Sequence, residues 1–95
     1  MKVVWGHRAR RELRELVAYI AEDSLKGAEL VAERILKAVV SLVKMPRSGR
    51  PGRVPGTRER VVGKTPYILV YRIVSGRIRI LRVFHAARKW PTRFD

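Results

Sequence analysis

Two apolar runs, residues 67–74 and 77–84, stand on either side of Ser75-Gly76. Both are rich in β-branched and aromatic residues, and a two-residue Ser-Gly break between such runs predicts a tight hairpin. In the first run Tyr67, Leu69, Tyr71 and Ile73 alternate with Ile68, Val70, Arg72 and Val74. Alternation along a strand sends the two sets to opposite faces, and here both sets are mostly apolar. A strand of that kind belongs in the middle of a sheet, covered over most of both faces. The rest of the chain has to supply the cover.

Residues 2–5 form a short extended start carrying Val3 and Val4. From about residue 8, Ala9, Leu13, Leu16, Val17 and Ile20 recur at helical spacing, with Arg10, Arg11, Glu12, Arg14 and Glu15 on the other side. Arg8 with Glu12, and Arg11 with Glu15, are surface pairs four residues apart that add weak support. This helix is expected to end near 22–24, where Ser24 caps a second helix running from about 26 or 27 to 44. Its stripe is Ala28, Ala32, Ile35, Val39 and Leu42; Lys44 suits its C-terminal end, and Pro46 stops it. So short a turn makes the two helices antiparallel neighbours. Residues 58–62 supply another strand. The order β-α-α-β-β-β predicts an α+β fold, with an N-terminal strand and an antiparallel helical hairpin packed on an antiparallel β-sheet. Trp5 and Tyr19 are assigned to packing. Ninety-five residues suit one small domain spanning 1–95.

Composition excludes several kinds of chemistry. The absence of cysteine removes disulfides, thiolate zinc sites and cysteine nucleophiles. His7 and His85 lie far apart without a neighbouring ligand pattern, so neither a metal site nor a cofactor is expected. There is no secretory h-region and no run approaching ~18 apolar residues, which gives no signal for export or a membrane partner and makes cytoplasm the expected location. Charge is informative in the other direction. Residues 1–33 carry six basic and six acidic side chains, whereas 34–95 carry 16 of the 22 Lys+Arg against only Glu59 and Asp95. A net charge of +14 segregated in this way points to a polyanionic partner. Sixteen of the cations are Arg, whose planar fork suits bidentate contact with phosphate or carboxylate.

The candidate functional residues lie in the basic part. Residues 45–57 interleave three prolines and three glycines with Arg47, Arg50 and Arg53, and read as a loop ordered by context or mobile. The working expectation is a mobile segment whose Arg50 and Arg53 contact the target, so that replacing both by Ala changes stability by no more than about 0.5 kcal/mol. Arg58, Arg72 and Arg82 occupy strand positions that can converge on one face; alternatively they pair internally, Glu59 being one candidate partner. His85 either shuttles a proton, with Glu59 as a second candidate, or satisfies a local backbone group. Trp90 is a lid over the sheet or a target contact, and Arg88 extends the basic tail.

Five blocks stand out: Tyr19-Ile20-Ala21-Glu22-Asp23, Pro46 with Gly49-Arg50, Val54-Pro55-Gly56-Thr57-Arg58-Glu59, Pro66-Tyr67-Ile68-Leu69-Val70-Tyr71-Arg72 and Leu81-Arg82-Val83-Phe84-His85-Ala86-Ala87-Arg88. Together they resemble the ParE/RelE toxin superfamily of type II toxin–antitoxin systems. They fall in order over nearly the whole chain, and the Pro-Gly-x-Arg-Glu, Pro-Tyr-Ile-x-x-Tyr-Arg and His-Ala-x-Arg patterns are closest to the ParE-like branch. The resemblance implies a toxin neutralised by a cognate antitoxin whose C-terminal segment wraps the helices and sheet. For ParE proteins the usual target is DNA gyrase, trapped with cleaved DNA; for RelE-like proteins it is mRNA in the ribosomal A site. RNA cleavage needs a base, an acid and cations for the developing charge. RelE nucleases resemble one another in a Lys/Arg cluster with a Tyr or His near the C-terminus, and here no Tyr follows the last strand. A non-enzymatic gyrase inhibitor therefore leads, with a ribosome-dependent endoribonuclease as the alternative. A plain nucleic-acid-binding module would explain the charge, but this chain lacks exposed aromatics interleaved with its arginines in a stacking arrangement. The charge implies an acidic, amphipathic antitoxin segment.

Overall fold

Among the described residues, five strands and two helices follow one another as β1 (Lys2–Trp5), α1 (His7–Asp23), α2 (Leu25–Lys44), β2 (Arg50–Pro51), β3 (Arg58–Val61), β4 (Tyr67–Val74) and β5 (Arg77–His85). The computed structural model describes residues 1–87, 89–91 and 93. The strands form one sheet in the order β1-β5-β4-β3-β2, which puts β4 in the middle, as its two apolar faces require. The α+β architecture is the expected one.

The Ser-Gly hairpin forms with Val74 opposite Arg77. Ser75 (φ 50°) and Gly76 (φ 72°) both take the left-handed conformation, so the turn has the twist that flanking strands need. Serine carries a Cβ there and is held at a cost. Ser75→Asn is expected to raise stability by about 0.5 kcal/mol, and Ser75→Val to lower it, in thermal melts. A loss with Asn would show that the turn is not under strain.

Two features differ from the sequence reading. β1 pairs with β5 in parallel, so the sheet is mixed rather than wholly antiparallel. No hairpin links these distant strands, so chain direction is set by where the helices return the chain. Gly6 makes the exit from β1 possible: a Cβ there would stand 2.8 Å from the Ile80 carbonyl oxygen, which accepts the Gly6 N–H. The second difference is β2, a two-residue strand inside the segment expected to be a loop, paired antiparallel with β3. Its Pro51 lies on a sheet edge, where the missing N–H breaks no ladder.

The helices cover one face. Ala9 of α1 and Ile35, Ala38, Val39 and Leu42 of α2 pack with Leu69, Tyr71, Ile78, Ile80 and Val83 of the sheet. Burial of side chains such as Ile35, Leu42, Leu69 and Ile80 contributes about 1.5–3 kcal/mol each. Ser24 caps α2 as expected, its Oγ accepting from Gly27 N at 2.9 Å. A bulge in β5 keeps the apolar side chains in phase. Val70 faces Arg82 and Tyr71 faces Ile80, so Leu81 is the extra residue, and Val83 returns to the helix side.

The opposite face has a smaller core without helices. Ile68, Val70 and Phe84 are buried there, with Val54 of the preceding loop also buried. Trp90 packs edge-on against Phe84 at 4.9 Å, and the Arg53 guanidinium lies 3.9 Å over the Trp90 ring. Trp90 thus lies over this face of the sheet, between Phe84 and Arg53. Tyr19 is not in the packing: it is 72% exposed, because it falls outside the Ala9–Leu13–Leu16–Ile20 stripe. α2 also carries an outward stripe that its inner pattern did not announce, Leu36, Val40 and Val43, all exposed.

Candidate functional site

Strand register assigns the arginines to faces. Arg50, Glu59, Val70 and Arg82 lie in one row across β2, β3, β4 and β5. Directly opposed residues share a face, and Val70 points away from the helices, so Arg50 and Arg82 do as well. The row holding Arg72, Arg79 and Val4, and the row holding Val74, Arg77 and Lys2, point the same way. The face away from the helices is therefore strongly basic, with Glu59 as its acidic member.

Arg58 does not join them. It faces Tyr71, on the helix side, and donates to the carbonyls of Gly49 (2.9 Å) and Arg47 (3.3 Å). The expected convergence of Arg58, Arg72 and Arg82 thus fails, since Arg58 and Arg72 are one step out of phase across the pleat. Tyr71, fully buried, reaches the same loop: its hydroxyl donates to Pro46 O at 2.7 Å and accepts from Gly49 N at 2.9 Å. A Cβ on Gly49 would overlap the Tyr71 ring and the Glu59 carbonyl, so only glycine allows this approach.

Glu59 fastens the loop from the other side. Its carboxylate, 1% exposed, accepts Arg50 Nη2 at 2.9 Å, Arg50 Nε at 3.2 Å and the Arg53 backbone N–H at 2.8 Å. The Arg53 guanidinium adds a contact of 3.6 Å. Farther along, Gly52 N donates to Thr57 O at 2.7 Å, and Thr57 Oγ1 to Val54 O at 2.7 Å. Of the two readings of this loop, ordered by context or mobile, the bonding fits the first. The loop is held by one buried carboxylate and one buried phenol, and Arg50 and Arg53 are half-exposed partners of Glu59. With all its close donors committed to that work, Glu59 is a structural carboxylate rather than a proton carrier.

Arg82 is also paired, with Glu12 of α1. Nε and Nη2 approach its oxygens at 2.7–3.1 Å, and Glu12 Oε1 accepts Val83 N–H at 2.9 Å. β1 accompanies β5 only as far as Ile80, so Glu12 caps the edge that β1 leaves open. The expected Arg8–Glu12 helix pair gives way to this tertiary one. Arg82 also lies 4.3 Å over the Phe84 ring. On its far side a cleft of about 440 Å³ is lined by Arg8, Arg82, Lys89 and Arg93 with Phe84, Trp90 and Pro91. Arg88 lies outside the described residues.

His85 faces Tyr67, with which it packs edge-on at 5.6 Å, and so lies on the helix side. Its cleft, about 310 Å³, is shared with Glu12, Glu15, Leu16, Tyr19, Tyr67 and Val83. The Nδ1 atom accepts Ala87 N–H at 3.1 Å. A neutral imidazole accepting at Nδ1 carries its proton on Nε2, which can then donate but not accept. His85 satisfies a local backbone group; the sheet separates it from Arg50 and Arg72, and Glu12, which shares its cleft, is bonded to Arg82.

The arrangement is a basic sheet face with aromatic and carboxylate clasps, on a helical hairpin. Residues 3–90 match the family described as the ParE toxin of the type II toxin-antitoxin system parDE. The chain belongs to the ParE toxin family. It is 47% identical to the putative toxin Y4kP of Sinorhizobium fredii over 90 residues, covering 95% of this chain and 93% of that protein. It is 34% identical to toxin RelE2 of Caulobacter vibrioides, covering 92% and 97%. A chain of the chromosomal ParDE system from P. aeruginosa superposes with a TM-score of 0.80 at 25% identity, covering 90% of this chain and 95% of that one. The protein is thus a toxin of a type II toxin–antitoxin system, and membership implies a cognate antitoxin.

Sequence reasoning missed Glu12 and Arg79 in this toxin. Glu12 sits on an ordinary charged helix face, where nothing separates a tertiary ion pair from a surface one. Arg79 had a visible signal: it is a cation in a β-branched run, at the position that a two-residue hairpin sets opposite Arg72.

Proposed function

We propose that this toxin acts by binding and trapping DNA gyrase, and that an acidic, amphipathic segment of its antitoxin holds it off. The observation that carries this reading is the separation of proton chemistry from charge. Arg50, Arg72, Arg77, Arg79 and Arg82 lie on the face away from the helices, whereas His85, Tyr67 and Tyr71 lie on the helix side. Tyr71 is buried with its hydroxyl bonded twice. General acid–base catalysis needs its groups within hydrogen-bond reach of the reacting atoms, and Glu59, the carboxylate on the basic face, is already held by Arg50 and Arg53. Trapping a protein–DNA complex needs only surface. The outward stripe of α2, Leu36, Val40 and Val43, supplies an apolar track for an amphipathic partner.

The alternative is a RelE-like, ribosome-dependent endoribonuclease, favoured by the likeness to toxin RelE2. Induction in growing cells separates the two. Gyrase trapping gives DNA breakage and a DNA-damage response with intact mRNA; the nuclease gives cuts at A-site codons by primer extension. His85→Gln is expected to retain full toxicity, since Gln can still accept from Ala87 N–H. A nuclease relying on His85 would lose about 10²–10⁴-fold in rate, and A-site cleavage abolished by that substitution would overturn the proposal.

A further inference from the structure

We propose that Arg72, with Arg79 beside it, is the seat for a carboxylate of an acidic, amphipathic peptide docking on the face away from the helices. This rests on the antitoxin reading above and adds a contact on the sheet to the apolar track on α2. Arg72 occupies the central strand, and its Nε is shut off from water with no hydrogen-bond partner. Among the described residues its guanidinium forms neither an ion pair nor a hydrogen bond. Arg79 stands directly opposite it, a like-charge pair of the kind that destabilises a sheet. The next row adds Arg77 and Lys2. Among the described residues nothing offsets this, since Glu59 is already held by Arg50 and Arg53. A cation kept without a counterion, with its Nε shut off from water, is a feature that costs stability in the free protein, and an incoming anion removes that cost.

The surroundings favour a peptide over a nucleic-acid strand. Val4 and Val74 lie in the rows that hold Arg79 and Arg77, and neither is fully buried. An amphipathic peptide places a carboxylate between the two guanidiniums and apolar side chains on these valines. A nucleic acid wants aromatic faces on which bases stack. The aromatic pair on this face, Phe84 with Trp90, is at the far end of β4 beside Ile68, and its rings are packed against each other. Gly56 of the loop lies beside the seat, where a Cβ would stand 3.9 Å from Arg72 Nη2.

The test uses the purified toxin and its Arg72→Met and Arg79→Gln variants. Three probes are titrated: a synthetic Glu/Leu amphipathic peptide, an oligothymidylate of equal charge, and the cognate antitoxin. Arg72→Met should raise the melting temperature by roughly 4 °C or more, because an unpartnered cation is replaced by a well-fitting apolar chain. The peptide should bind the wild type in a salt-sensitive manner and lose roughly 30-fold or more in affinity on Arg72→Met, with a smaller loss on Arg79→Gln. Oligothymidylate binding should change little. A lower melting temperature would make Arg72 a structural residue and overturn the proposal. Equal peptide affinity for wild type and variant would do the same, as would a loss confined to the oligonucleotide. An antitoxin that binds the wild type and ignores Arg72→Met sinks the seat but leaves the proposed function standing. An antitoxin that fails to bind the wild type sinks the proposed function, and the peptide titration still reads the seat.

Discussion

Replacing Arg50 and Arg53 together by alanine is expected to cost about 2–4 kcal/mol of folding stability, shifting the melting temperature by roughly 10 °C or more. The reason is the carboxylate left behind. Glu59 is 1% exposed, and both its cationic partners would be gone. Water reaches it in part once two half-exposed side chains are cut back, which keeps the cost below that of a fully buried ion. Adding Glu59→Leu to the double variant should recover much of the loss, since an apolar group of similar size replaces the stranded charge. Glu59→Leu alone should cost less than the double change, because the two arginines it frees can turn to solvent. Urea titration of the four proteins gives the ranking. A double variant that melts within a degree of wild type would show that the clasp contributes nothing. Loss of toxicity in the double variant then reports folding as much as target contact. Arg50→Lys with Arg53→Lys, which retains charge at Glu59, is the variant that tests contact.

The sequence reached the architecture because that rests on patterns local in the chain. The hairpin around Ser75-Gly76 is set by turn chemistry and the central strand by alternation. The capped start of α2 at Ser24 needs only neighbours in sequence. What escaped was tertiary. The direction of β1 depends on where a helical hairpin returns the chain, and no residue in 2–5 encodes that. The loop of residues 45–57 has the composition of a mobile segment, yet Tyr71 and Glu59 hold it from strands that come later in the chain. For the candidate site, the residue types were legible and the faces were not. Arg58 and Arg72 share no face because of pleat phase across β3 and β4, and Arg82 is phased by a bulge at Leu81 that its run of apolar residues conceals.

Glu12→Ala is expected to destabilise the toxin by about 2–4 kcal/mol, although Glu12 lies on a helix that looks solvent-facing in sequence. Two losses combine. Arg82, 14% exposed at its side chain, loses a bidentate carboxylate, and Val83 N–H loses its acceptor on an edge that β1 does not cover. Glu12→Gln separates them, because its amide oxygen can still take the Val83 N–H while the charge on Arg82 goes unanswered. That variant should fall between wild type and Glu12→Ala in thermal melts. Arg82→Lys should resemble it, since an ammonium cannot reproduce two parallel bonds. The functional effect should follow the wall that this pair makes. Glu12 lines the cleft of Tyr19, Tyr67 and His85, while Arg82 lines the basic cleft of Arg8, Lys89 and Trp90. Removing Glu12 joins an acidic recess to a basic one and releases Arg82 toward solvent. Binding of an acidic peptide should therefore become less specific and more salt-sensitive before it becomes weaker. If Glu12→Ala and Glu12→Gln both melt with the wild type, the pair is a surface contact, and Arg82 is held in place by its packing over Phe84.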